Sequence, residues 1–231
     1  MGKQKATREY ATGDFDVYLL AQTWSPHFCC TNSDRCTTVP WAFSAKHLSL
    51  HGLWPGFSTP REGDTFPANC ATKARIVQDA LPREYIDVAP SFTTWNAAER
   101  RADVGGLAKH EWKKHGTCTG LMPSAYFAEA LRALSLLPGD RGTPEMITAN
   151  VGGTVPASAL RRTYAKRVAI MTDRACEISE ITSCFSKLPD GRVGPQIDCP
   201  DHVMKGRDTS CATLRINQLG QCMVAAGKKK R

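Results

Sequence analysis

The sequence predicts an α+β fold: a central antiparallel β-sheet with helices packed against it, in one disulfide-stabilised domain. Three observations carry this. Strand-like apolar segments come first, helical periodicities follow, and short strand-like runs return near the end, an order that separates helices from an antiparallel sheet. The 231 residues, 42% hydrophobic and 23% charged, suit one well-buried core and exclude disordered, collagen-like and repeat compositions. Ten cysteines are spread along the chain without a CxxC pair, which favours cross-links over zinc modules.

The elements follow in order. Residues 1–13 read as a flexible N-terminal segment and 14–226 as a single domain, undivided by any repeat or Pro/Gly-rich linker. Phe15–Trp24 (FDVYLLAQTW), rich in aromatic and branched residues, reads as a buried strand. Cys29–Trp41 reads as a loop, and a second strand runs through His47–His51 into a turn at Gly52–Pro55. Ala125–Leu137 carries Phe127, Ala130, Leu131, Leu134 and Leu137 at helical spacing, with Ser124 as the expected N-cap. Thr143-Pro144 and Val155-Pro156 each open a further helix, since proline is tolerated at a helix start. Short strands are then expected at Val168–Met171, Glu177–Phe185 and Thr213–Leu219. The basic tail 227–231 (GKKKR) reads as a solvated charge run.

Charge and cysteine content narrow the function. The net charge of +8 makes polyanions the first partners to consider. No apolar run approaches the roughly 18 residues of a membrane span. Disulfides imply an oxidising compartment, so a secreted or periplasmic protein is expected. The opening MGKQKATREYATGDF lacks an apolar stretch, so either a signal peptide has been removed, which is the expectation, or the protein is cytosolic with unusual thiols.

The chemistry concentrates in two short segments, His51-Gly52-Leu53-Trp54-Pro55 and His110-Glu111-Trp112-Lys113-Lys114-His115-Gly116-Thr117-Cys118. On a helix at about 100° per residue, His110, Lys114, Glu111 and His115 share an arc of about 140°, while Trp112 points elsewhere. Trp112 therefore reads as core. Four polar groups on one face are costly to bury unpaired, so they need solvent or a function. A zinc reading, with His51 or His202 as third ligand, is poor. The HExxH motif needs its histidines four apart on one face, and here they are five apart. Acid–base catalysis fits better: two imidazoles can act as base and acid, and a lysine can stabilise developing negative charge. RNA cleavage needs such a set, because the 2′-hydroxyl must lose a proton while the 5′-oxygen gains one.

HGLWP and KHEWKKHGTC resemble the two active-site segments of the ribonuclease T2 family, and FDVYLLAQTWSPHFC and CFSKLPDGRVGPQIDCP resemble flanking parts of it. The resemblance implies an α+β catalytic domain that cleaves single-stranded RNA through a 2′,3′-cyclic phosphate, without metal or cofactor, and a monomer is expected. It implies His115 as general base, His51 as general acid, His110 as a phosphate ligand, and Glu111 and Lys114 as transition-state stabilisers. Trp54 is expected either to stack on a base or to brace the His51 segment. Phe57 is expected beside it as a substrate-binding residue.

Gly56 stands where base-selective relatives often carry an acidic residue, which implies weak base specificity. Lys109 adds positive charge ahead of the second segment. His27, His47 and His202 read as structural or surface residues. The resemblance also implies the disulfides Cys70–Cys118, Cys184–Cys199 and Cys176–Cys211. Cys29, Cys30, Cys36 and Cys222 are left to form two more, with their pairing open.

Overall fold

Strand β1 (Val17–Thr23) is the spine of the sheet, and its apolar run is explained by burial on both faces. Tyr18 and Leu20 enter the main core, whereas Val17 and Leu19 enter a smaller cluster with Ala169, Cys184, Cys199 and Val203. The computed structural model describes residues 9–36 and 38–222. Within it, β1 pairs antiparallel with β2 (Ser49–Gly56) on one side. On the other side it pairs antiparallel with β7 (Ile178–Lys187). Strand β7 also pairs with β6 (Ala169–Thr172) and β8 (Val193–Ile197), completing a five-stranded antiparallel sheet.

Two hairpin-sized sheets stand apart: β3 (Thr93–Asn96) with β4 (Arg101–Val104), and β5 (Thr154–Pro156) with β9 (Thr213–Arg215). Helices α1 (Ser25–Thr31), α2 (Tyr85–Val88), α3 (Gly106–Lys114), α4 (Pro123–Ser135), α5 (Glu145–Thr148), α6 (Ala157–Arg161) and α7 (Asp201–Arg207) complete the chain. Helix α4 buries Tyr126, Phe127, Ala130 and Leu134 in the main core. The Tyr126 hydroxyl donates to the Leu53 carbonyl at 2.8 Å, which fastens α4 to β2. Helix α7 packs against β6 and sends Val203 into the smaller cluster, so helices cover both faces of the sheet.

The α+β expectation holds, with local corrections. Gly52–Pro55 is strand, not turn, because these residues pair with Tyr18–Ala21. Part of the expected loop Cys29–Trp41 is helical, with Pro26 in the first turn of α1. Met122 is the N-cap of α4 and Pro123 opens the helix, one step ahead of the expected Ser124 cap. The expected strand Thr213–Leu219 shortens to Thr213–Arg215 and lies outside the main sheet. Strands β3, β4 and β8 lack the apolar alternation that would have announced them.

Five disulfides lock this arrangement: Cys29–Cys36, Cys30–Cys222, Cys70–Cys118, Cys176–Cys211 and Cys184–Cys199. Within the expected flexible N-terminus, Tyr10 packs its ring 5.1 Å from that of Phe57 and donates to Asp64 at 2.8 Å. Residues 1–8 and the tail 227–231 lie outside the described residues.

Candidate active site

A break in strand register creates the site. Along β1 and β2, Ala21 faces Gly52 but Gln22 faces Leu50, so His51 is the extra residue of a β-bulge. A bulge re-aims side chains. Here Leu50 and Leu53, three apart, both reach the core, while His51 and Trp54 both reach a cleft.

Helix α3 supplies the facing wall. His110, Glu111 and Lys114 line the cleft with His51 and Trp54, as the helical arc requires. His115 closes the helix as its C-cap, its N–H bonded to the Glu111 carbonyl at 2.9 Å, and it lines the same cleft. Trp112 points into the core beside Tyr126. The Cys70–Cys118 disulfide, with a hydrogen bond from the Asn69 N–H to the Lys114 carbonyl at 2.9 Å, ties this turn to the 69–70 segment.

Trp54 is the hub. Its Nε1 donates to Glu111 at 2.7 Å. Its ring lies 5.4 Å from that of His115, nearly parallel, and 5.4 Å from that of His51, edge-on. Gly52 makes the packing possible: a Cβ there would run into the Glu111 carboxylate and the Trp54 indole.

The two imidazoles are driven in opposite directions. Burial pulls the His51 pKa down, but the hydrogen bond it donates to Glu180, then the charges of Glu180 and Glu111, more than reverse this and leave it raised. Burial lowers His115 to about 3, assisted by the positive charges of Lys114, His110, His51 and Arg207. Burial also raises the Glu111 carboxyl, partly offset by the Trp54 hydrogen bond, His51 and Lys114. Paired titratable groups whose environments separate their pKa values mark acid and base roles.

The cleft holds about 450 Å³, and two recesses adjoin it. One of about 320 Å³ touches His115, Trp54 and Phe66. The other, about 880 Å³, touches His51, Ser25, Phe28 and Arg35. A metal-ligating arrangement among the described residues occurs elsewhere: ligand atoms of His27, Asp173 and Glu177 lie within 4.8 Å of one another. None of these three lines the cleft.

The Ribonuclease T2 family model matches residues 15–199, which include both site segments. The chain belongs to the ribonuclease T2 family. It is 32% identical over 112 residues to a ribonuclease of Aeromonas hydrophila, covering 47% of this chain and 40% of that protein. It is 28% identical over 176 residues to ribonuclease I of Escherichia coli K12, covering 67% and 65%. The chain spans about half the length of the first curated relatives it matches. Ribonuclease MC1 from bitter gourd seeds shares the fold, with a TM-score of 0.56 at 22% identity over 87% of this chain and 100% of that one.

Within this family member, the structure brings together His51, Trp54, His110, Glu111, Lys114 and His115. Phe57 is a correction. It is 0% exposed, clamped between Tyr10 and the Arg61 guanidinium 4.0 Å above its ring, and cannot reach a substrate. The aromatic beside Trp54 is instead Phe66, 41% exposed, with its ring 5.8 Å from His115 and the Lys114 ammonium 5.6 Å from its centre.

Glu180 and Arg207 were also missed. Both line the cleft, yet each comes from a segment with no motif of its own. A charge inside the apolar run of β7 is the one sequence signal that marks Glu180, because a carboxylate there needs a partner. His27 is buried in α1, its Nδ1 3.4 Å from Glu177, a structural position. His47 stacks on Phe43 with ring centres 3.9 Å apart, a structural role. His202 borders the recess beside His115.

Proposed function

We propose that the chain is an endoribonuclease that cleaves single-stranded RNA by metal-independent acid–base transphosphorylation, with weak base specificity. One observation carries this: His51 and His115 open onto one cleft in environments that favour the protonated form of the first and the neutral form of the second.

In the first step, neutral His115 takes the proton of the ribose 2′-hydroxyl as that oxygen forms its bond to phosphorus. The bond from phosphorus to the 5′-oxygen breaks, and His51 gives its proton to the departing oxygen. A 2′,3′-cyclic phosphate results. Water then opens it to a 3′-phosphate with the two imidazoles in exchanged roles. His110 binds the phosphate and Lys114 stabilises the charge that builds on the non-bridging oxygens, while Glu111, whose carboxyl is raised by burial toward its neutral form, supports the same transition state as a proton donor.

The recesses support this polarity. The nucleotide that supplies the 2′-hydroxyl fits on the His115 side, between Trp54 and Phe66, and the leaving nucleoside fits on the His51 side. Aromatic stacking accepts any base, and Gly56 offers no side chain to select one, which supports weak specificity. Five disulfides support a secreted or periplasmic setting, and no helix among the described residues is long and apolar enough to cross a membrane. A monomer is the state we propose for catalysis, because one chain supplies the whole acid–base set.

Digestion of single-stranded RNA in EDTA tests the reading. Fragments ending in 2′,3′-cyclic phosphate are expected, followed by 3′-phosphates. An enzyme silent in EDTA and restored by a divalent cation would replace this mechanism with a metal-dependent one, and binding without cleavage would leave an RNA-binding protein.

A further inference from the structure

We propose that Glu180 and Arg207 form a positioning pair for the reaction, Glu180 holding the His51 ring with its Nε2 turned to the phosphate and Arg207 holding Glu180. The inference deepens the functional reading above and rests on His51 as the general acid.

Glu180 sits on β7 at 9% exposure, and both of its carboxylate oxygens are engaged. One lies 3.1 Å from His51 Nδ1. The other accepts from Arg207 Nη1 at 2.6 Å and from the Thr182 hydroxyl at 3.3 Å. A buried carboxylate is costly unless paired and hydrogen-bonded, so its geometry is set from β2 and α7 at once. A carboxylate bonded at Nδ1 fixes the imidazole tautomer and leaves Nε2 as the nitrogen that meets substrate. His51 is therefore oriented before RNA arrives.

Arg207 joins this pair to the other half of the site. Its guanidinium carbon lies 4.8 Å from the centre of the Trp54 ring, and Trp54 in turn holds Glu111. The helix that ends in Arg207 is firmly placed. Cys184–Cys199 precedes it, Arg167 pairs with Asp201 at its start at 2.6 Å, and Asp208 after its end pairs with Arg161 at 2.6 Å. Arg207 lies beyond residues 15–199, the part matched by the family model. The segment that follows the family match thus reaches back to buttress the acid. The groups that face His51 are Glu180 from β7, Glu111 from α3 and Arg207 from α7, with His110, Lys114 and His115 around the same cleft.

The two partners act on His51 with opposite sign: Glu180 favours its protonated form and Arg207 disfavours it. The test is an NMR titration of the His51 ring, with kcat and KM for a dinucleotide across pH, in Glu180→Gln, Glu180→Asp and Arg207→Gln proteins. Glu180→Gln is expected to lower the His51 pKa, move the alkaline limb of kcat/KM to lower pH, and reduce kcat about 10- to 100-fold with a smaller change in KM, by analogy with the carboxylates that orient metal-bound imidazoles. Glu180→Asp should recover part of this, and Arg207→Gln should shift the His51 titration upward. An unmoved titration and pH profile in Glu180→Gln, in an enzyme that still depends on His51, would overturn this proposal alone. A fully active His51→Phe protein would overturn the functional reading beneath it.

Discussion

The Trp54 indole donates a 2.7 Å hydrogen bond to the Glu111 carboxylate, and this contact joins the His51–Pro55 and His110–Cys118 segments across the cleft. It forms because Gly52, two residues earlier on the same face of β2, has no side chain to obstruct it. Gly52→Ala is expected to separate Glu111 from Trp54 and lower kcat at least tenfold, the loss of about 1.4 kcal/mol of transition-state stabilisation. Circular dichroism should show the fold retained, and an unimpaired alanine variant would show that the contact is dispensable.

The acid and base should each be indispensable. His51→Phe and His115→Phe are both expected to lose on the order of 10²-fold or more in kcat, the usual contribution of a positioned proton-transfer group. Stopped assays on a homopolymer read this directly. Near-normal turnover in either variant would remove that residue from the proton path.

The rate should follow a bell in pH. His115 must be neutral, which holds above about 3, and His51 must be protonated, which holds up to a value above the ordinary 6.5. Stability carries the same signs. Because the unfolded chain protonates His115 at its ordinary value, the folded form gains relative stability as pH rises from about 3 to 6.5. His51 contributes stability below 6.5 that fades as pH rises through its elevated folded value. Loss of the low-pH component of the stability profile in His115→Phe would confirm the assignment. An unchanged profile would contradict it.

Phe57 and Phe66 should separate packing from recognition. Phe57→Ala is expected to cost about 3–5 kcal/mol of stability, as for other buried phenylalanines. Phe66→Ala should leave Tm nearly unchanged and raise KM for RNA several-fold. Thermal melts and steady-state kinetics distinguish the two, and a stability loss in Phe66→Ala would place that ring in the core instead.

The Cys70–Cys118 bond should matter to both activity and folding. It closes a loop of 48 residues in sequence separation, worth about 4 kcal/mol by loop-entropy reckoning. It also holds the turn three residues beyond His115. A Cys70→Ser/Cys118→Ser protein is expected to melt at lower temperature and cleave more slowly below its Tm. Full activity in that protein would deny the bond any part in placing His115.

Much of this protein was already present in its sequence. Helical spacing alone placed His110, Glu111, Lys114 and His115 on one side and Trp112 on the other, because 3.6 residues per turn leaves no alternative once a helix forms. Apolar runs located β1, β7 and α4, and the spread of ten cysteines foretold cross-links. Tertiary structure decided the rest. Only the register break between β1 and β2 turns His51 toward Trp54, and only the packing of Tyr10 and Arg61 on its ring commits Phe57 to the core. Only the packing of α7 against the sheet brings Arg207 to Glu180, 27 residues away in sequence. Periodicity is a property of neighbours along the chain, whereas register and the burial of a lone charge depend on what the folded chain sets opposite them.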